Sequence, residues 1–519
     1  MKRNLLVLMA VALCASVFAQ GTLDAFNLSR NDLQGTARGQ AMAGAFGSLG
    51  GDPTGILTNP AGLGVYRSSE LSATMSFATT NIETDFGRWN HSQSNFKFNF
   101  DNLAYIGHYS TGNPTIPTLN FSFVYNRLKN FDRKYTASRN GMESSLTDYI
   151  ASTSNGIDVS DFDPRRGRDP YRNPGVPWMG ILGWNGLFID NIPGNDSEYW
   201  SLLGEGQTVN PFLEVSEKGR IDSYDFSLGA NVLDDLFFGM TFSFTDIYYR
   251  MDSYYEEDNF AKGGFIALDN YLQTEGTGYQ VSLGAIWRPV DEMRIGIAYH
   301  SPTWHSLTDF FQGRTNADFI DNQNNVIRER ASTPSDGRTN YRLQTPQSWV
   351  FSAAGVIGTK AIISVDLEVK DYTAMTLRDS RGFAYSKDNQ WIDEDFKVAA
   401  TVRAGLEYRF TPQFSGRLGY SWMENPYEQK VREGNREMIM GLTSTRPHYT
   451  IQGDVNYFTA GVGFRFTPQF YMDASFVYKT QKDDLYYFSP VFDGAVVDST
   501  PTSFHNNTYK GLLTLGYRF

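Results

Sequence analysis

Six histidines are the first residues in this chain that suggest proton or metal chemistry, and their placement supports neither. His91, His108, His300, His305, His448 and His505 are dispersed. His300 and His305, the nearest pair, lack a same-face helical spacing and have no ligand cluster beside them to complete a metal shell. A nucleophile fares no better: the single cysteine, Cys14, sits in an apolar N-terminal stretch, and no Gly-x-Ser-x-Gly element marks a hydrolase. A lipase or protease assembled from distant residues would leave no local signature and stays open on that count alone. The acidic run Asp252 to Asp258 offers oxygen ligands to Ca²⁺, although solvated acidity is its ordinary role. No cofactor and no metal are expected.

What the chain offers instead is binding surface. Trp178, Met179, Ile181, Leu182, Trp184, Leu187, Phe188 and Ile189 crowd one part of a segment otherwise rich in Asp, Arg and Gly. Such a cluster either forms a groove that collects apolar solutes, with Trp178, Trp184 and Phe188 as the candidate contacts, or gives a long loop the core it needs. Charged residues at alternate positions elsewhere (Asp366, Glu368, Arg403, Glu407, Arg417 and Arg465) point toward pairing across a wet interior.

The elements that would carry these residues follow from composition and period. The 519 residues hold 45 Lys+Arg against 57 Asp+Glu, and a net charge of -12 gives no general attraction to phosphate backbones, so nucleic acid is excluded as a partner. Mean hydropathy is -0.39, and no apolar run long enough for a membrane helix follows the first twenty residues. Aromatic residues nevertheless reach 15%. Strict alternation reconciles the two. From Phe396 to Phe410 the residues Phe396, Val398, Ala400, Val402, Ala404, Leu406, Tyr408 and Phe410 share one face, while Lys397, Thr401, Arg403, Glu407 and Arg409 share the other. Phe458 to Phe466 and Phe470 to Tyr478 repeat the pattern. One face suits lipid and the other water.

Short turns alternate with long polar stretches along the chain. Turns fall near 112–114, 233–235, 289–292, 357–359, 411–413 and 467–469; the longer connections lie near 81–95, 128–218, 251–275, 302–340, 371–395, 424–454 and 482–505. This spacing predicts about fourteen strands, starting near Glu70, Phe96, Pro117, Gly219, Leu236, Gly276, Met293, Tyr341, Lys360, Phe396, Phe414, Val455, Phe470 and Asn506. An even count with both ends on the periplasmic side is what a single-chain bacterial barrel requires. The fold expected is all-β: a transmembrane antiparallel β-barrel over 70–519, its largest loop at about 128–218. Lys2, Arg3 and the apolar stretch from Leu5 to Phe18 read as a signal peptide over 1–19. Its removal would take Cys14 with it and exclude disulfides.

Residues 20–69 do not alternate. They are dense in Gly and Ala, and composition alone leaves open a compact plug in the lumen or a flexible periplasmic leader. The stretch Ala41-Met42-Ala43-Gly44-Ala45-Phe46, the acidic turn at Asp52 and Asn59-Pro60-Ala61-Gly62-Leu63 resemble the outer membrane protein transport family. That family includes FadL-type long-chain fatty-acid transporters and toluene-type hydrocarbon channels. A terminal Phe519 resembles the signal read by the barrel assembly machinery. The resemblance implies an N-terminal hatch inside a fourteen-stranded barrel of the bacterial outer membrane, with Asn59, Pro60 and Ala61 as hatch residues. Phe46, Leu49, Ile56, Leu57 and Leu63 would then floor a pocket. It further implies passive uptake of hydrophobic small molecules, lipid and lipopolysaccharide neighbours, and an exit beside a kinked third strand near Pro117 to Arg127. The insertion from Leu128 to Gly219 departs from the family pattern. Two other readings remain: a surface protein whose loops bind a host ligand, haem or another cell without transport, and a porin for polar solutes.

Overall fold

A computed structural model describes residues 21–519 except 165–168, 174, 261–262, 321–323, 439–440, 442, 493–494 and 497–499; the expected signal peptide lies outside the described residues. The two-residue period becomes a closed wall. Its strands are β1 (Glu70–Phe86), β2 (Trp89–Ser110), β3 (Thr118–Asn130), β4 (Asn210–Val232), β5 (Leu236–Phe260), β6 (Gly264–Val290) and β7 (Met293–His300, resumed as Trp304–Ile320). Then follow β8 (Arg338–Gln344, resumed as Ser348–Ile357), β9 (Ala361–Asp371), β10 (Val398–Arg409), β11 (Phe414–Met423), β12 (Val455–Arg465), β13 (Phe470–Tyr486) and β14 (Thr502–Arg518). Each pairs antiparallel with its neighbours, and β14 returns to β1 from Glu70↔Arg518 to Asp85↔Ser503. The closure is sealed by Ser69 and Phe519, each donating its N–H to the other's carbonyl. A closed ring leaves no edge strand, so every ladder group inside lipid finds a partner.

Side chains sort as the alternation requires. On β10, Leu406 and Tyr408 are exposed outward while Glu407 between them is 5% exposed in the lumen. Phe410, Phe414, Phe466, Phe470, Tyr517 and Phe519 gather outside at the end carrying the short turns, and Tyr279, Trp304 and Trp349 at the other, as interfacial aromatic belts do. The two Thr-Pro-Gln turns are built alike: the Thr411 hydroxyl accepts from Gln413 and Phe414 N–H, and Thr467 from Gln469 and Phe470. Proline sits there because no ladder donor is needed.

Three expectations change. The stretches 81–95, 251–275 and 302–340 are largely strand, not loop; Glu83 pairs with Ser92 and Asp258 with Phe265. Past the membrane both faces meet water, so the hydropathy alternation stops while the pleat continues. The acidic run Asp252 to Asp258 therefore lies on β5, where Asp252 pairs with Arg250 at 2.9 Å and the Glu257 carboxylate accepts from Leu146 N–H. Phe396 is not on the lipid face. It precedes β10 and packs at 5.5 Å from the Phe26 ring.

Before the barrel come α1 (Thr22–Ser29), α2 (Ala37–Ala41), α3 (Pro53–Thr58) and a 3₁₀ turn over Pro60–Val65. The long insertion carries α4 (Leu146–Ser154), capped by Ser145 with Asp148 answering, and α5 (Trp178–Asn185); α6 (Ser386–Asp395) follows β9. These loop helices and α1 share one apolar core that includes Phe26, Ile150, Leu182, Phe188, Tyr372 and Tyr427. No helix among the described residues is long and apolar enough to cross a membrane.

Candidate functional site

The Gly- and Ala-rich leader folds inside the barrel, and its small residues explain how it fits. Thr36, Asp52 and Thr54 form a knot: the Thr36 hydroxyl donates to Asp52 at 2.8 Å, Asp52 accepts from Thr54 N–H at 2.9 Å, and Thr36 N–H reaches the Thr54 hydroxyl at 2.9 Å. A Cβ at Gly39 would sit 2.0 Å from that hydroxyl oxygen, so the knot closes only over glycine.

The wall answers with glycines of its own. Gly229, Gly239 and Gly284 stand in register on β4, β5 and β6, and Gly405 faces Gly419 across β10 and β11. A side chain at Gly239 would meet the Pro60 carbonyl oxygen at 2.1 Å, and one at Gly419 would meet Ala43 N at 2.5 Å. At this level the hatch backbone lies directly on the strands.

Asn59 is the polar centre of that contact. Fully buried, it caps the 3₁₀ turn by accepting from Ala61 N–H at 3.0 Å. Its amide donates to Gly47 O in the hatch at 2.7 Å, and to Ala285 O and Ile297 O on β6 and β7 at 3.2 and 3.3 Å. Pro60 supplies a preset φ at the first position of the turn. Ala61 is small enough to pack on Phe237 and Ile286.

Charge pairs hold the remaining circumference. Arg38 of α2 pairs with Glu407 at 2.9 Å, Glu407 with Arg417 at 2.6 Å, and Arg417 with Asp473 at 2.5 Å. Asp366 accepts from Gly47 N–H at 2.9 Å, and Arg403 and Lys370 both pair with Glu368. Of the six expected inward charges, five are engaged this way, while Arg465 lies exposed near the short-turn end. In the hatch, Asp32 pairs with Lys479 at 2.7 Å and accepts from the Tyr457 hydroxyl at 3.2 Å. Burial alone would raise the Asp32 carboxyl, but the ammonium groups of Lys479 and Lys129 outweigh it and hold the group down at about 2. Burial likewise disfavours the Arg38 cation, and Glu407 and Asp52 overcome it.

Two of the cavities among the described residues lie beside the hatch. The larger, about 190 Å³, is lined by Leu28, Leu33, Ile56 and Leu57 from the hatch and by Ser243, Thr245, Ser282, His300 and His305 from the wall. The smaller, about 110 Å³, is lined by Lys97, Arg127, Arg133, Lys479 and Lys510 together with Asp32, Asp101 and Asp132. Both share Asp32, Leu33, Gln34 and Tyr457.

The expected solute-contacting residues divide three ways. Ile56 and Leu57 line the larger cavity. Phe46 and Leu49 pack with Met42 and Ala354, and Leu63 packs with Ile106 and Val124, all against the wall. Trp178 and Phe188 lie in the apolar core above the lumen, with Trp184 packed on it; the Trp178 ring is 5.0 Å from Phe311. The third strand is paired on both sides from Thr118 to Asn126, with a bulge only between Arg127 and Lys129. Sequence reading missed the glycine row, whose signal is glycine at inward strand positions in register, and missed the hydroxyl-bearing wall of the cavity. No group of three potential metal ligands occurs among the described residues.

Comparison with known proteins agrees with this architecture. The family model for the outer membrane protein transport protein (OMPP1/FadL/TodX) matches residues 265–486, from β6 through β13. A Pseudomonas aeruginosa FadL homologue is similar in fold, with a TM-score of 0.51 and 13% identity, covering 94% of this chain and 99% of that one. A deletion mutant of the TodX monoaromatic hydrocarbon channel gives 0.50 at 11% identity, covering 94% and 100%. None of the curated proteins matches the sequence. With the family match running from β6 through β13 and an Asn-Pro-Ala hatch seated in a closed barrel of fourteen strands, the chain is similar to the FadL-type outer membrane protein transport family and shares its barrel fold.

Proposed function

We propose that this protein admits hydrophobic small molecules across the outer membrane by passive diffusion, with the hatch as its gate. One observation carries the reading. The hatch is held to the wall by hydrogen bonds and ion pairs over a glycine floor, with small separate apolar clusters between them, and it leaves cavities partly lined by Leu28, Leu33, Ile56 and Leu57. Polar contacts of this kind exchange with water at little net cost, so the docked state is reversible. The related structures are a FadL homologue and a monoaromatic hydrocarbon channel, which supports the solute class. Asn59, Pro60 and Ala61 act as the latch, and Ile56 and Leu57 meet the solute. Two measurements test this. Cells with and without the gene are compared for uptake of oleate and toluene; equal uptake of both ends the transport claim. Deleting residues 21–64 should convert a closed barrel into an open pore in planar bilayers, and unchanged conductance ends the gating claim.

A further inference from the structure

Arginines crowd the outer wall just past the aromatic belt at the long-loop end. Trp304 pairs with Gln344 where β7 and β8 resume. The next outward position, roughly 7 Å of strand farther on, sets Ser306 beside Arg342, and Arg342 beside Arg378 of a short strand, Thr376–Asp379. Both arginines are exposed, while their neighbours Leu343 and Leu377 are 1% and 0% exposed, which fixes the arginines on the outer face. The two side chains turn toward one place: Arg378 Nη1 donates to Gly382 O at 3.4 Å, and Arg342 Nη1 lies 3.8 Å from where a Gly382 Cβ would be. Arg338 follows two outward positions farther along β8, its guanidinium 5.4 Å from the Phe310 ring. Like charges directly opposite across a ladder repel. Arg381 nearby has its own carboxylate, Asp379 at 3.1 Å, whereas no ion pair of Arg338, Arg342 or Arg378 occurs among the described residues, neither with Glu275 on β6 nor with Asp336 in the turn before β8.

We propose that Arg342 and Arg378 form a docking site for a phosphorylated glycolipid of the outer leaflet, their two guanidinium forks holding one phosphate with Arg338 in support. Position and charge select this occupant. An aromatic belt sits where hydrocarbon gives way to headgroups, so a side chain one outward position past Trp304 meets headgroups. Guanidinium groups match phosphate oxygens bidentately, and an anion between the two arginines removes their mutual repulsion. Ser306, Asn340 and Gln344 surround them with hydroxyl and amide groups suited to sugar hydroxyls. Below, Trp304 and Trp349 are exposed outward and give the acyl chains an apolar wall. The site lies outside the barrel and is independent of how solutes pass through it.

The test is native mass spectrometry of the full mature chain in detergent, with diphosphoryl lipid A as the probe and heat-modifiability on gels to confirm a folded barrel. One lipid A should bind per chain, about tenfold more tightly than its dephosphorylated form, which lacks the charge-assisted hydrogen bonds. Arg342→Gln combined with Arg378→Gln should bring the two forms to equal affinity. Arg88→Gln combined with Arg409→Gln removes the same charge from exposed positions at opposite ends of the wall and should leave the preference intact. Equal binding of both forms to the native chain, or a preference that survives loss of Arg342 and Arg378, overturns the site. A preference lost equally in both double variants also overturns it, because net charge alone then accounts for the effect. So does inorganic phosphate binding as tightly as lipid A, which would make the arginines a general anion patch.

Discussion

Gly284→Ala isolates the hatch–wall contact from the barrel itself. The added Cβ would fall 1.9 Å from the Asn59 side-chain oxygen and 3.0 Å from Ala61 N, roughly 1.5 Å inside ordinary contact distance. β6 is fixed by two ladders, so Asn59 is the group that must withdraw. It then gives up bonds to Gly47, Ala285 and Ile297 and from Ala61. At about 1 kcal/mol each, losing two or three weakens docking by about 2–3 kcal/mol, which multiplies the undocked population by roughly 30 to 150. Alanine in a strand interior is if anything better than glycine, by about 0.5–1 kcal/mol, so the wall should keep its stability. Hydrogen exchange over residues 37–65 should accelerate, single-channel openings should become more frequent, and the gel shift of the folded barrel should not change. Gly511→Ala is the control, because a Cβ there meets nothing within 4 Å. If the hatch amides of Gly284→Ala exchange as slowly as in the native chain, the close-packing argument is wrong.

Three further outcomes follow from the same geometry. Glu407→Gln strips the carboxylate partner from Arg38 while Arg417 keeps Asp473, and a stranded buried cation should cost about 3–5 kcal/mol, read as a lower urea midpoint for hatch release. Phe26→Ala removes a fully buried ring that packs 5.2–5.5 Å from Tyr372, Phe396 and Tyr427; about 3–5 kcal/mol of local stability should be lost, seen as exchange in α1 with the wall unaffected. Burial raises the Asp388 carboxyl of α6 from 3.8 to about 6. The folded state therefore holds this proton more tightly than the unfolded one. The resulting penalty is absent below pH 3.8, grows up to about pH 6 and is full above it, reaching about 3 kcal/mol. Asp388→Asn should slow proteolysis of the 386–395 segment at pH 7.5 and leave it unchanged at pH 3.5; equal effects at both values would exclude the titration.

The wall was legible in the sequence because lipid enforces a rule that every strand obeys independently. Leu236, Met293, Phe414, Val455 and Phe470 begin strands where the alternation says they should. The rule fails where lipid ends: Thr84 pairs with His91 in a hairpin whose outward residues are as polar as its inward ones. Site geometry was less legible for a different reason. The Asn59 motif is visible as residue types, but its acceptors on Gly47, Ala285 and Ile297 are backbone carbonyls that any sequence would supply. Trp178 and Phe188 could not be divided between groove and core until the loop helices, Phe311 and α1 were seen to enclose them.

The four residues common to both cavities make one thin partition. If the hatch gates passage as proposed, a solute need not unseat the whole plug to advance. Shifting the strip from Asp32 to Gln34, pinned mainly by Lys479 and Tyr457, would join the two chambers while the glycine-floored half stays shut.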